Sequence, residues 1–141
     1  MSGFLLDTNV VAELVKPRPA LRVVRWLDDV EEELLFLSAL TLGEIRKGIV
    51  KLGSGARVGR LDAWLEGELK VRFAGRILPI DEAVADRWGV LAGRAAATGT
   101  PLPVVDGLLA ATALHHNLTL VTRNSRDVSR TGVSVFSPWE D

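Results

Sequence analysis

The stretch Gly3-Phe4-Leu5-Leu6-Asp7-Thr8-Asn9 constrains the fold more than any other in the chain. A short apolar run ends at once in a carboxylate, a hydroxyl and a carboxamide. Phe4-Leu5-Leu6 is too short to read by periodicity, and a buried strand near the N-terminus is its best assignment. Val10-Val11-Ala12-Glu13-Leu14-Val15 is compatible with a helix, so Asp7 stands where a strand hands over to a helix. In open α/β sheets that carboxyl end is where ligands bind. Asp7 as a helix cap and Asn9 as a turn residue explain the same stretch. The chemical reading therefore needs other carboxylates.

Farther along, strand-like and helix-like stretches alternate. Lys16-Pro17-Arg18-Pro19 breaks the chain, and Leu21, Val24 and Leu27 fall at helical spacing between about residues 20 and 29. Glu31-Glu32-Glu33 reads as a solvated connection. Leu34-Leu35-Phe36-Leu37-Ser38 reads as a second buried strand, feeding a helix with Leu42, Ile45 and Ile49 on one face. After a flexible Gly53-Ser54-Gly55 loop, Leu61, Leu65 and Leu69 predict a helix from Val58 to Val71. Arg76-Ile77-Leu78-Pro79-Ile80 is a third strand, and its proline suggests a sheet edge. Asp81 caps a long helix from Glu82 to about Ala97, stopped by Gly99. Leu108 to His115 predicts a tightly packed helix of small residues. Leu118 to Thr122 and Val133 to Phe136 are the last two strands. Such alternation implies crossover units and a mainly parallel sheet covered on both faces. The class is α/β, with no repeat and no internal boundary.

Composition narrows the chemistry. A chain of 141 residues, 48% hydrophobic, suits one globular domain with a real core. It has no cysteine and only His115 and His116 as histidines, so disulfide frameworks and thiolate or His-rich zinc sites are excluded. A resident metal would need oxygen ligands. No apolar run reaches the roughly 18 residues of a membrane span, and no signal peptide is read, so the expected location is cytoplasmic. A net charge of −1 argues against bulk electrostatic capture of nucleic acid and leaves room for a local basic patch.

The carboxylates sit at telling places. Asp7 follows the first strand, Glu44 the second, and Asn124 with Asp127 the fourth; Asp106 opens the helix that leads into the fourth. Each has a structural explanation: a Thr41-x-x-Glu44 capping box, a carboxylate favoured by a helix N-terminus at Asp106, and turn chemistry at Asn124 and Asp127. A parallel sheet nevertheless puts those strand ends on one side. Carboxylates brought to about 5 Å repel by roughly 3 kcal/mol at an effective dielectric near 20, so such a cluster raises its pKa values or binds cations. All-oxygen ligands suit Mg²⁺ or Mn²⁺, which beside a phosphodiester can activate water and stabilise the leaving oxygen.

Taken together, Leu5-Leu6-Asp7-Thr8-Asn9-Val10, Ser38-Ala39-Leu40-Thr41-Leu42-Gly43-Glu44, Val105-Asp106-Gly107-Leu108-Leu109-Ala110-Ala111-Thr112-Ala113 and Leu120-Val121-Thr122-Arg123-Asn124 resemble the PIN-domain ribonuclease toxins of the VapC family, FitB-like members in particular. Gly75 to Asp81 and the closing Val135-Phe136-Ser137-Pro138-Trp139 also match, so nearly the whole chain is covered, as a single PIN domain over residues 1–141. The resemblance implies a three-layer fold with a five-stranded, mainly parallel sheet between helices. It further implies a Mg²⁺- or Mn²⁺-dependent endoribonuclease, the toxin of a type II toxin–antitoxin pair. Asp7, Glu44 and Asp106 fall on the family's metal-binding positions. Its fourth acidic position falls on Asn124, with Asp127 three residues on as the alternative carboxylate. Thr8, Asn9, Ser38 and Thr122 match small polar positions supporting the site.

The implied partners are an RNA substrate, a DNA-binding antitoxin and a second copy of the chain in a homodimer, with no membrane. Val10, Val11, Leu14, Val24 and Trp26 are the implied lining of the antitoxin groove, although core packing explains them equally. Arg46, Lys47 and Arg123 are candidate phosphate contacts. Trp26, Trp64, Trp88 and Trp139 could stack bases, or serve as core. Three alternatives stay open: a catalytically weak PIN module that acts by binding a repressor, a nuclease for DNA or structured RNA, and a phosphotransferase of the haloacid-dehalogenase type. The last wants a second aspartate two residues after Asp7, where this chain has Asn9.

Overall fold

A computed structural model describes residues 2–140. Five parallel strands form one sheet in the order β3-β2-β1-β4-β5. They are β1 (Phe4–Leu6), β2 (Leu35–Ser38), β3 (Ile77–Leu78), β4 (Thr119–Val121) and β5 (Val135–Phe136). The first strand is central, with Leu5 in register with Phe36 on one side and Leu120 on the other. Being covered on both faces, it can be apolar throughout. Successive side chains point to opposite faces, and the core divides accordingly. Leu6, Leu35, Leu37 and Val121 pack with Val10, Val11, Val23, Leu27 and Ile49 on one face. Leu5 and Leu120 pack with Leu109, Ala110, Ala113 and Val128 on the other.

The helices on the first face are α1 (Thr8–Glu13), α2 (Leu21–Asp29), α3 (Ala39–Lys51) and α4 (Ala56–Trp64). A π-helical turn at Leu65–Leu69 joins α4 to α5 (Lys70–Arg72). The predicted helix over 58–71 thus exists, with a widened segment inside it. Leu61, Leu65, Leu69 and Phe73 recur every four residues, and in an α-helix of about 100° per residue that spacing overshoots one full turn at each step. The wider turn takes up the excess and keeps Leu65, Leu69 and Phe73 all buried. On the second face lie α6 (Glu82–Ala97), α7 (Val104–His115) and α8 (Ser125–Ser129). No helix among the described residues is long and apolar enough to cross a membrane.

Several expected boundaries shift. Pro79 falls just beyond β3 rather than inside it, and β3 is an edge strand as expected. The triple-glutamate run is not merely a solvated connection: Glu32–Leu34 forms a 3-10 turn. The Glu32 carboxylate accepts from Arg72 Nε (3.0 Å), Arg72 Nη2 (2.9 Å) and Arg76 Nη2 (2.9 Å). These bonds, Arg72 foremost, hold its pKa below the usual glutamate value. The helix expected from Leu108 begins at Val104, directly after Pro103, which brings Asp106 into its first turn.

Gly3 leads into the central strand through a gap that admits no side chain. A Cβ there would lie 2.5 Å from the Leu34 carbonyl oxygen and 3.0 Å from Phe36 Cε2. The oxygen is backbone and cannot swing aside. Gly3→Ala is therefore expected to destabilise the fold by about 1–3 kcal/mol, the range for forced overpacking. A lower urea midpoint with unchanged m-value would register this.

Candidate metal centre

The three central strands β2, β1 and β4 all end on the same side of the sheet, and each end delivers polar groups. At the end of β1, Asp7 is the N-cap of α1; its Oδ1 accepts from the Thr8 backbone N–H (2.7 Å). Its other oxygen, Oδ2, accepts from Thr122 Oγ1 (2.7 Å) and from Asn9 Nδ2 (3.4 Å). Asp7 is only 8% exposed. Capping and chemistry are thus not rivals here, because the cap holds a buried carboxylate in one orientation.

Ser38, at the end of β2, caps α3 by accepting from the Leu40 N–H (3.1 Å). This corrects the capping-box reading, since Thr41 lies inside the helix, buried, with its hydroxyl lacking any partner among the described residues. Glu44 is thereby released from capping. Its Oε1 accepts instead from Thr8 Oγ1 at 2.5 Å, which ties α3 to α1. Thr122, at the end of β4, is buried; besides holding Asp7 it accepts from the Asn124 N–H (3.2 Å). Asn9 Oδ1 in turn accepts from the Arg123 N–H (3.4 Å).

Asp106 is half-buried in the first turn of α7 and makes no hydrogen bond or ion pair with the described residues. Its pKa is pushed above the ordinary aspartate value, first by burial and then by the charges of Asp7, Asp127 and Glu44. Those four carboxylates therefore share one electrostatic neighbourhood. Asp127 projects from the first turn of α8 and is exposed, as is Asn124 at the start of that helix. Among the described residues no three carboxylate or histidine side chains are drawn close enough to ligate one ion. An open arrangement is what mutual repulsion dictates. The donor set nonetheless fits a hard divalent cation: every candidate ligand is an oxygen, and Asp106 has no basic partner among the described residues.

The cationic residues divide. Arg46, expected as a phosphate contact, is held instead by Asp62 (2.6 Å) and Glu66 (2.8 Å). Arg46→Ala should leave the fold's stability nearly unchanged, as the loss of exposed ion pairs does; a urea melt would show this. Arg123 keeps its backbone at the site, but its guanidinium lies over the Trp139 ring, 5.2 Å from the centroid. Lys47 lines an open groove of about 400 Å³ together with Glu44, Ile80 and Val105.

Gly107 was not singled out from the sequence as a contact point. A Cβ there would meet Trp88 Nε1 and Leu102 Cδ2 at 3.0 Å, so the missing side chain lets α6 approach α7 beside Asp106. A glycine inside a helix, which costs about 1 kcal/mol against alanine, was the available signal.

A parallel sheet with acidic side chains gathered at its central strand ends is the architecture of a PIN domain, and the chain belongs to that family: the PIN domain profile matches residues 4–133. It is 42% identical to toxin FitB of Neisseria gonorrhoeae over 97% of this chain and 99% of that one. Identity to the VapC ribonuclease Y4jK of Sinorhizobium fredii is 36%, covering 96% and 97%. The solved structure of FitAB bound to an IR36 DNA fragment superposes with a TM-score of 0.92 at 40% identity, covering 98% of this chain and 96% of the other.

Proposed function

We propose that the protein is a Mg²⁺- or Mn²⁺-dependent endoribonuclease and the toxin of a toxin–antitoxin pair. The observation that carries this reading is the unneutralised charge around Asp106, whose pKa is raised by burial and by Asp7, Asp127 and Glu44 together. A divalent ion held there would supply positive charge beside the phosphoryl oxygens and an activated water. Asp7 and Asp106 would hold it. Glu44 would hold it too or orient the attacking water, and Asp127 or Asn124 would position that water or a second ion. Thr122 and Asn9 fix Asp7, Thr8 fixes Glu44, Ser38 fixes the start of α3, and Lys47 offers a phosphate contact. RNA is preferred as substrate because two relatives bear the name ribonuclease.

The antitoxin reading rests on likeness to a protein named as a toxin and to the DNA-bound FitAB assembly. Val10 and Val11 cannot line a docking groove, for both are fully buried in the core. A groove of about 390 Å³ runs from Thr8 and Glu44 past Ala12, Ile45, Leu52 and Trp64, and we assign the antitoxin segment to it. We also infer a homodimer, as the family resemblance implies.

Asn124 favours a second reading, a catalytically weak module that acts by holding a repressor on DNA, because an exposed amide replaces the fourth carboxylate. A divalent-ion titration separates the two. On the nuclease reading, millimolar Mg²⁺ or Mn²⁺ raises the melting temperature and EDTA reverses the shift. The weak module would show no response in that range.

A further inference from the structure

We propose a second anion site: the cavity between the end of α6 and the end of α8 holds a backbone phosphate of the bound RNA, away from the bond being cut. The RNA assignment rests on the nuclease reading above. The cavity measures about 300 Å³ and is lined by Arg94, Arg130, Thr98, Thr100 and Leu102 with no acidic residue. That volume lies at the small end of ligand pockets, roughly 300–1,000 Å³, and suits a phosphate with its sugar rather than a large ligand.

Its charge is unbalanced. The Arg94 guanidinium has no hydrogen-bond or ion-pair partner among the described residues. Arg130 donates one bond, from Nη2 to the Pro101 carbonyl (3.0 Å), and meets no carboxylate among them. Helix C-termini normally repel anions, yet the last carbonyls of α6 are occupied. Thr98 N–H donates to Arg94 O (3.2 Å), Gly99 N–H to Ala96 O (3.1 Å) and Thr100 N–H to Ala95 O (3.0 Å). The positive φ of Gly99, 75°, permits that turn. The Arg94 fork and the remaining donors of Arg130 are left without a carboxylate among the described residues, and planar guanidiniums of this kind match phosphate.

Position gives the cavity its role. Leu102 lines it and also packs on Gly107, the neighbour of Asp106, while Arg130 follows the helix that carries Asp127. The cavity therefore flanks the carboxylates on the α7 and α8 side. Lys47 lies beside Glu44, on α3. A chain of net charge −1 has no bulk attraction for a polyanion, so local cationic points of this kind must hold the strand.

The test compares the Arg94→Ala/Arg130→Ala double variant with the parent in two arms. In the first, an Asp106→Asn background in EDTA binds a short single-stranded RNA across a salt series. Two lost phosphate contacts should flatten the log–log salt slope by about 1.4 and weaken binding at least about tenfold, with Arg94→Lys/Arg130→Lys restoring much of both. Unchanged slope and affinity would overturn the proposal and leave the nuclease reading intact. In the second arm, pyrophosphate is titrated against the unmodified protein and the double variant, following the melting temperature. A rise in the parent that is lost in the variant supports the anion site; equal or absent rises overturn it. RNA that fails to bind at all counts against the nuclease reading, and the pyrophosphate arm then decides the cavity by itself.

Discussion

Asp106→Asn is expected to lower metal-dependent RNA cleavage by at least about 10²–10³-fold, the loss seen when one preorganised electrostatic group is removed from a site. The same substitution should raise the melting temperature of the metal-free protein at pH 7. Asp106 is pushed up by burial first and by Asp7, Asp127 and Glu44 next, so its charged form is disfavoured by the fold. A raised folded-state pKa means that the carboxyl's contribution is complete below the unfolded value, near 3.9, and is lost as pH rises through the folded value. At neutral pH the charge is thus a liability that asparagine removes. The stability difference should shrink as the pH falls towards about 4, and added Mn²⁺ should stabilise the parent more than the variant. Calorimetry at two pH values, with and without Mn²⁺, together with a cleavage assay checks all four. A variant less stable than its parent at pH 7 would mean that Asp106 makes a favourable contact instead.

Thr122→Val should show the second largest effect because one buried hydroxyl serves two groups. It donates to Asp7 Oδ2 at 2.7 Å and accepts from the Asn124 N–H at 3.2 Å. Valine keeps the shape and leaves the buried carboxylate oxygen with only the 3.4 Å contact from Asn9. The expected loss is about 1.5–3 kcal/mol, as for a hydrogen bond to a charged group. Asp7 would also lose its fixed direction, and cleavage should fall about 10–100-fold, the effect of removing a partner that orients a metal ligand. Thr122→Ser keeps the hydroxyl and should retain most of both. A urea melt and single-turnover cleavage distinguish these outcomes.

The strands were legible because a sheet covered on both faces lets apolar runs such as Phe4-Leu5-Leu6 and Leu34-Leu35-Phe36-Leu37 go unbroken. The placement of Asp7, Glu44 and Asp127 was legible because parallel strands share one carboxyl end, whereas Asp106 follows no strand and opens α7. Local signals misled where two residues could do one job. Ser38 and Thr41 are both good caps, and only the end of β2 decides that Ser38 takes the role. The helix read from Leu108 in fact starts at Val104, directly after Pro103, because the small residues that marked it begin only past its first turn. Val10 and Val11 carry no mark separating a groove from a core. Arg46 looked like any exposed cation, and its partners Asp62 and Glu66 lie 16 and 20 residues away. The cavity at Arg94 and Arg130 joins residues far apart in the chain, and no local pattern announces it.

The most direct test of the central claim is cleavage of a mixed RNA panel by the unmodified protein in Mg²⁺, in Mn²⁺ and in EDTA, with Asp7→Asn alongside. The carboxylate site described above predicts cleavage with either ion, none in EDTA and none with Asp7→Asn that remains folded. Cleavage that persists in EDTA or survives Asp7→Asn, or a folded, metal-loaded protein that cuts no RNA, would contradict it.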